Sequence, residues 1–410
     1  MTSPDLGVPR ALLDGKRIVL GVTGGIAAYK AADLASYLVQ QGVSLRVAMT
    51  DAAMRFVGPM TFEAMTKQPV YTSVFDGWGD GEAGHVTLAS TADAVLVAPA
   101  TADTIAAMAQ GFARDMLTAV LLGTSAPIVV APAMEHHMWH HPATQANVAL
   151  LRERGVAIVE PESGRLASGA SGDGRLARRE AIVAAIRGVL ARSGPLSGLR
   201  VVVSAGGTHE AIDPVRFIGN RSSGQMGVAI AEAAFDAGAT VTTVVGPTVT
   251  TPPSVGDSVQ IESAREMADA VEAACQHADV LVMAAAVADF RPESAATSKI
   301  KKGPGTDAPV IALTRNPDIL AGVDVPGLVK IGFAAETDDL LANAADKLRR
   351  KGLAMIVAND AVATIGSGKS QATLLYREGE PEPLPAMPKV ELARVIIERV
   401  GRLWREATDA

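Results

Sequence analysis

Twice in this chain a short apolar run breaks into paired glycines and then into a helical pattern. Arg17–Gly21 (RIVLG) leads to Gly24-Gly25, and Leu199–Ser204 (LRVVVS) leads to Gly206-Gly207. Runs this short that do not alternate with polar residues suit strands buried on both faces, the condition met in a parallel sheet covered by helices. The rhythm continues after each opening. Ala27–Gln41 reads as a helix, with Leu45–Met49, Ala94–Pro99 and Pro127–Ala131 as further strands. Beyond the second opening, Gly224–Ala237, Ala264–His277, Asp339–Lys351 and Val390–Arg402 read as helices. The strands there are Thr240–Val245, Asp279–Ala286, Val329–Ala334, Met355–Ala358 and Ala372–Tyr376. The pattern predicts an α/β protein of two doubly wound, Rossmann-like parallel-sheet domains. Ser193-Gly194-Pro195 is the natural linker, giving domains 1–192 and 193–410.

Two stretches break the rhythm. Glu160–Arg175, rich in glycine and serine, is expected to be a mobile flap or a plain surface connection. Val287–Pro309 is expected to be a long irregular excursion. With 48% hydrophobic and 20% charged residues, the chain has enough apolar material for two cores. A net charge of −7 argues against general nucleic-acid binding, because no basic surplus exists to neutralise phosphates. The single cysteine, Cys275, excludes an intrachain disulfide and any multi-cysteine metal site. No apolar run is long enough for a bilayer, and Met1–Arg10 lacks the pattern of a signal peptide. A cytoplasmic protein is therefore expected.

Glycine after a strand lets the backbone approach a phosphate, and the free amides of a helix start favour an anion; a tight turn needing only room is the plainer alternative. Ala98–Asp103 ends another strand, and ligands of open α/β sheets sit beyond such carboxyl ends. His85 opens a helical pattern and is a candidate general base, or simply a structural histidine. Glu135–His141 holds four histidines. Helical spacing would pair His136 with His140 and His137 with His141, which invites a metal reading, but Pro132 and Pro142 keep any helix short. In the second half, Ser204–Glu210 and Ile212–Gly227 place small residues and hydroxyls before a helix, good chemistry for phosphates. It is not a Walker loop: Gly366–Ser370 mimics the end of one, but Ala363 stands where its first glycine belongs, and the stretch reads as an exposed loop. Asp289 could hold a divalent cation or a ribose. Lys299, Lys301 and Lys302 put charge on a flexible loop, useful to phosphoryl chemistry on closure or merely solvated. Lys347 and Lys351 share one helix face, which an exposed cationic surface would also explain. Neither opening has the GxGxxG spacing of a nicotinamide-dependent oxidoreductase.

The motifs GGIAAYK, GHVTLAS, PATADTIA, APAMEHHMW with HPATQAN, and GASGDGRL stand in an order that resembles phosphopantothenoylcysteine decarboxylases over residues 15–190. That resemblance implies a trimer-forming, FMN-binding fold in which the flavin oxidises the cysteine moiety, the thioaldehyde loses CO2, and the electrons are returned. It implies His85 as base, with Gly24, Ile26, Thr50 and Thr101 lining the FMN site. Three positions depart from the family pattern. Asp103 replaces an asparagine. Glu135 replaces the asparagine that holds the substrate carboxylate. Ser168 replaces the flap cysteine that protonates the late enethiol. Facing carboxylates repel unless one is protonated or bridged, so His136 is expected to take over that contact. A serine hydroxyl is a far weaker acid than a thiol of pKa ~8.5.

SAGGT, IDPVRFIxNxSSGxMG, AAAVADFRP, KIKK, NPDIL and VAND, spread over residues 195–405, resemble phosphopantothenate–cysteine ligase of the bacterial type, which uses CTP with Mg2+. The resemblance implies an acyl-cytidylate made from 4'-phosphopantothenate and CTP, from which cysteine displaces CMP. It implies that Asn220 holds the acyl carbonyl and Lys299 stabilises the charged transition state. Asp289 would contact the nucleotide–Mg2+ unit, Ala285 and Phe333 border the base, and Lys347 and Lys351 reach the triphosphate. Gln225 stands where the motif usually has lysine. The two resemblances together imply a bifunctional enzyme of coenzyme A biosynthesis, assembled as a homododecamer from decarboxylase trimers and ligase dimers. The alternative is an active ligase whose decarboxylase-like domain serves mainly in assembly.

Overall fold

After Arg17, every residue of β1 (Arg17–Val22) is buried, as an inner strand covered on both faces must be. The computed structural model describes residues 10–76, 83–167, 169–301, 310–336, 339–360 and 368–409. The chain forms two units, Arg10–Arg192 and Ser193–Ala410. In the first, a 3₁₀ turn (Ile26–Tyr29) and α1 (Lys30–Gln40) connect β1 to β2 (Ser44–Met49). Then come α2 (Asp51–Met54), α3 (Pro59–Thr66), β3 (Val70–Tyr71), α4 (Gly84–Thr91) and β4 (Ala94–Ala100). After β4 follow α5 (Ala102–Gln110), α6 (Met116–Gly123), β5 (Ile128–Pro132), α7 (His136–Trp139), α8 (Pro142–Glu153) and β6 (Ala157–Ile158).

The sheet runs β3-β2-β1-β4-β5-β6 with every pair parallel. The chain winds outward from β1 to β3, returns to β4 beside β1, and winds the other way, so the topological switch lies between β1 and β4. Alternate residues of β1 serve opposite cores. Ile18, Leu20 and Val22 pack with Leu34 and Leu38 of α1, while Val19 belongs to the core holding Leu117 and Val120 of α6. The stretch expected to be a flap contains an antiparallel hairpin of β7 (Glu162–Arg165) and β8 (Ser171–Arg175), ahead of α9 (Arg179–Ala191). Ser168 lies outside the described residues.

The second unit begins with β9 (Arg200–Ala205), β10 (His209–Ala211), β11 (Phe217–Gly219) and α10 (Gln225–Asp236). β12 (Thr240–Val245), β13 (Asp257–Gln260), α11 (Ala264–Cys275) and β14 (Val280–Met283) follow. Next are β15 (Phe290–Pro292), β16 (Leu313–Arg315), α12 (Ile319–Gly322), β17 (Val329–Glu336) and α13 (Leu340–Arg350). β18 (Met355–Asp360), β19 (Lys369–Tyr376), β20 (Glu382–Pro388) and the C-terminal helix (Lys389–Asp409) complete it. The sheet order is β13-β12-β9-β14-β17-β18-β19-β20. Pairs are parallel through β18, and β19 and β20 run antiparallel.

Sequence reasoning missed both edges for physical reasons. All of β13 is exposed, so it lacks an apolar run. β20 carries Pro383, Pro385 and Pro388, tolerated only where ladder donors are not needed. Lys369 and Ser370, read as part of an exposed loop, open β19. The strand expected at Asp279–Ala286 ends at Met283, and the next residues turn into a loop. The excursion after Val287 is partly ordered: β15 pairs with β16 as an antiparallel ribbon, while residues 302–309 lie outside the described residues. Burial pushes the Cys275 thiol up to about 11, so it stays protonated and inert. Among the described residues no helix is long and apolar enough to cross a membrane.

α10 lies close on β9 because Gly227 has no side chain: a Cβ there would sit 2.6 Å from the Ala205 Cβ and 2.8 Å from the Ser204 carbonyl oxygen. Gly227→Val should push α10 off the sheet and destabilise the second unit by about 1–3 kcal/mol, measured as a shift in the urea midpoint at unchanged m-value.

Candidate functional sites

In the first unit, Thr23 follows β1 with 1% exposure. Its Oγ1 donates to the Pro99 carbonyl (2.7 Å) and accepts from the Thr101 amide (3.0 Å), tying together the carboxyl ends of β1 and β4. Thr101 caps α5 by accepting from the Thr104 amide at 3.3 Å, and Thr50 caps α2 by accepting from the Ala53 amide at 3.2 Å. Gly24, Ile26, Thr50 and Thr101 therefore stand at the carboxyl ends of three adjacent strands, β1, β2 and β4. Gly24 has a second reason to be glycine, since a side chain would collide with Ala52 of α2. Thr23 escaped the sequence reading because a lone hydroxyl between Val22 and Gly24 gives no spacing signal.

His85 is the second residue of α4 and half-buried. Its Nδ1 is buried without a hydrogen-bond partner among the described residues, an uncommon state for a ring nitrogen. Glu135 caps α7: its carboxylate accepts from the His137 amide at 2.7 Å, a task asparagine performs equally well. The departure from the family pattern at this position thus preserves the local turn. His136 Nδ1 accepts from the Asp173 amide at 3.2 Å, so the neutral ring carries its proton on Nε2. The Asp173 carboxylate accepts from Ser163 Oγ and pairs with His140 Nε2 at 3.1 Å; these hydrogen bonds hold it below the usual carboxylate range. The histidine cluster resolves accordingly. Ligand atoms of His136, His140 and Asp173 converge within 4.8 Å, where the Asp173 carboxylate pairs with His140 and the Asp173 backbone amide with His136. His141 instead caps α8 by accepting from the Ala143 amide, and His137 is exposed. Side chains at Gly172 or Gly174 would strike the His136 ring or the Met134 carbonyl, so the glycines that made this segment look like a loop allow β8 to lie against α7.

The second unit has a cavity of about 570 Å³ at the carboxyl ends of its strands. Asn220, Ala285, Asp289, Phe333 and Lys347 line it. The loop after β14 is held by buried hydroxyls: Ser204 Oγ accepts from the Ala285 amide and Thr208 Oγ1 from the Ala288 amide, both at 3.0 Å. Asn316 adds a bond from Nδ2 to the Ala288 carbonyl (2.8 Å) and one from its amide to the Asp289 carbonyl (2.9 Å). Asp289 is thereby presented to the cavity on a braced backbone. Asn220 Nδ2 donates to the Val287 carbonyl at 2.9 Å and makes a longer contact of 3.5 Å with the Ala286 carbonyl, which holds the amide against the loop after β14. Lys347 Nζ donates to the Phe333 carbonyl at 2.7 Å.

Two expected residues are not among those lining the cavity. Lys351 pairs with Asp318, which does line it, at 2.7 Å. Burial would raise the Asp318 pKa, but Lys351 outweighs it and holds the carboxyl below its usual range. Lys299 is exposed. Its neighbour Ile300 is anchored, however, with its amide donating to Asp213 Oδ2 at 3.1 Å and its carbonyl accepting from Arg216 at 2.9 Å. The Asp213 side chain is fully buried and ion-paired with Arg216, which holds its carboxyl far below the usual range. The NPDIL and IDPVR segments were visible in the sequence, but the bracing roles of Asn316 and Asp213 depend on partners many residues away.

The family description "DNA/pantothenate metabolism flavoprotein C-terminal domain" matches residues 196–403, and "Flavoprotein" matches residues 9–191. The Coenzyme A biosynthesis bifunctional protein CoaBC of Vibrio vulnificus (strain YJ016) is 42% identical over 95% of this chain and 98% of its own length. The protein of the same name from Mycobacterium tuberculosis (strain ATCC 25618 / H37Rv) is 45% identical over 94% of this chain and 96% of its own. Among solved structures, the C-terminal domain of a protein of that name is 41% identical, covering 52% of this chain and 100% of that one with a TM-score of 0.45.

The Asp213 anchor makes a testable claim about the lysine loop. Asp213→Asn should speed amide exchange at Ile300 and Val215 at least tenfold at neutral pH, read by hydrogen–deuterium exchange. In the unaltered protein the depressed carboxyl keeps the anchor above and through the ordinary aspartate range near ~3.9. Its contribution fades only as pH falls on through the depressed value, so Ile300 exchange, corrected for its intrinsic pH dependence, should stay flat from pH 7 to pH 4.

Proposed function

The chain belongs to the family of bifunctional coenzyme A biosynthesis proteins, and from that membership we propose that its second unit ligates 4'-phosphopantothenate to cysteine at the expense of CTP and its first unit decarboxylates the product with FMN. The observation that carries the ligase reading is the cavity gathering Asn220, Ala285, Asp289, Phe333 and Lys347 at the carboxyl ends of adjacent strands. A carboxylate is a poor electrophile, so it must be activated. Its oxygen attacks the α-phosphorus of CTP, an O–P bond forms, and pyrophosphate leaves. The cysteine amine then attacks the acyl carbon, CMP departs and the amine proton is lost to give the amide. Asn220, held by the Val287 carbonyl, exchanges its long contact with the Ala286 carbonyl for a bond to the acyl oxygen. Lys299 brings an ammonium to the charge that develops, on a loop whose base is fixed by Asp213. Asp289 and the nearby Asp318 suit a Mg2+ that screens the phosphates. Ala285 and Phe333 border the base; Lys347 bounds the same space and Lys351 acts through Asp318.

In the first unit the glycine turn and the capping threonines at three adjacent strand ends fit a flavin phosphate, and the orphaned His85 nitrogen fits a group that must exchange a proton. Bound there through Gly24, Ile26, Thr50 and Thr101, FMN supplies the reversible two-electron exchange that lets the cysteinyl carboxylate leave as CO2. His85 takes the substrate proton. His136, with Nδ1 occupied by the Asp173 amide, turns an N–H toward the carboxylate that asparagine holds in relatives. Glu135 is spent on capping α7 and stays clear of that repulsion. Ser168 is assigned the weak final acid of the flap. The proposal extends to a homododecamer built from trimers of the first unit and dimers of the second, in which neighbouring copies would cover exposed apolar side chains such as Tyr29, Met60, Phe217 and Leu313. The buried, lone Cys275 suits a cytoplasmic enzyme.

Purified protein supplied with 4'-phosphopantothenate, cysteine, CTP and Mg2+ should be yellow and yield phosphopantetheine and CO2 by mass. Accumulated phosphopantothenoylcysteine would favour a ligase whose first unit serves assembly, and no adduct at all would overturn the reading. Lys299→Gln should slow ligation roughly 100-fold without slowing decarboxylation of supplied phosphopantothenoylcysteine; His85→Gln should do the reverse.

A further inference from the structure

Part of the ligase cavity wall has no task in the chemistry above. Lys389 lines the cavity with 8% exposure, and its Nζ bonds to Gln225 Oε1 at 3.3 Å. Among the described residues it has no carboxylate partner. Ser370 lines the same cavity with 3% exposure, and among the described residues its Oγ has no hydrogen-bond partner. Burying an ammonium without a counter-charge, and a hydroxyl without a partner, is unfavourable in both cases. Burial accordingly pushes the Lys389 pKa down. Backbone geometry adds positive partial charge beside Lys389. Lys389 opens the C-terminal helix and Gln225 opens α10; the two helices pack against each other, and both first residues line the cavity. Helix starts carry unsatisfied N–H groups and the positive end of the macrodipole. A buried ammonium, an orphaned hydroxyl and two helix starts therefore share one stretch of the cavity wall, and among the described residues the carboxylates lining the cavity, Asp289 and Asp318, form no ion pair with Lys389.

We infer that Lys389, Ser370 and Gln225 form a buried anion subsite that receives a phosphoryl group of the ligase reactants, with the Lys389 ammonium as its counter-charge. The inference rests on the ligase reading and deepens it. Two reactants carry that chemistry, the nucleotide triphosphate and the phosphate ester of 4'-phosphopantothenate, and the subsite accepts either by the same bonds. Asn359, which also lines the cavity, stands two residues beyond Val357 on β18 and offers a further amide to the same ligand.

Lys389→Met keeps the length and removes the charge. Calorimetric titration of the full chain with CTP, 4'-phosphopantothenate and inorganic pyrophosphate should show at least one of them weakened tenfold or more. The thermal midpoint without ligand should hold or rise, since a buried charge lacking a partner has been removed. CTP and pyrophosphate weakened together place the nucleotide in the subsite; 4'-phosphopantothenate weakened alone places the substrate phosphate there. Equal affinities for all three, or a lowered midpoint with unchanged affinities, would overturn the inference. If Lys389→Met fails to fold, Ser370→Ala must weaken one of the same ligands about threefold, and no change there refutes it equally. An unaltered protein that binds pyrophosphate through Lys389 yet neither organic reactant would sink the ligase reading and leave the subsite standing.

Discussion

A buried hydroxyl at the end of the central strand clamps the neighbouring strand's loop in both halves of this protein. In the first unit Thr23 joins the end of β1 to Pro99 and Thr101 beyond β4; in the second Ser204 and Thr208 join the end of β9 to Ala285 and Ala288 beyond β14. Each pair of strands flanks a topological switch, where the chain reverses its direction of winding. At that point no crossover helix covers the sheet edge, and the backbone amides need partners that are not strands. The clamps satisfy them and fix the loops on which Thr101 and Asp289 are carried. Thr101, Ala285 and the loop carrying Asp289 take their positions from those few hydrogen bonds.

The second unit treats its buried charges unequally. Asp213 is enclosed with Arg216 and three backbone amides, so its charge is paid in full by the fold. Lys389 is enclosed, among the described residues, with an amide oxygen alone. A paired charge organises structure, here the base of the Lys299 loop; a charge left short of a partner organises a ligand. Asp318 lies between these cases, since it faces the cavity but leans on Lys351.

Glycine and histidine were the residues most open to misreading. The run from Glu160 to Arg175 has the composition of a flexible connection, yet β7 and β8 pair, and a side chain at Gly172 or Gly174 would strike the His136 ring of α7 or the Met134 carbonyl ahead of it. The four histidines look like a metal cluster when only spacing is considered. Their neighbours divide them: His141 serves a helix start, His137 faces solvent, and His136 and His140 meet an aspartate from the hairpin. Composition cannot separate a glycine needed for motion from one needed for contact, because both lack a side chain for opposite reasons.

Local sequence by itself determined the class of fold, since unbroken apolar runs between amphipathic helices have few solutions other than covered parallel sheets. It also determined the family motifs and the order of the two halves. The edge strands β13 and β20 were invisible to it, because an exposed strand needs no apolar pattern and a proline-rich one contradicts propensity. Only tertiary structure decided which motif residues share a space. It drew Asn220, Asp289, Phe333 and Lys347 around one cavity, set Lys299 and Lys351 outside its wall, and added Ser370 and Lys389 from far along the chain. Periodicity reports which face of an element is buried, whereas a site depends on where separate elements end, and that is settled by how the strands are ordered in the sheet.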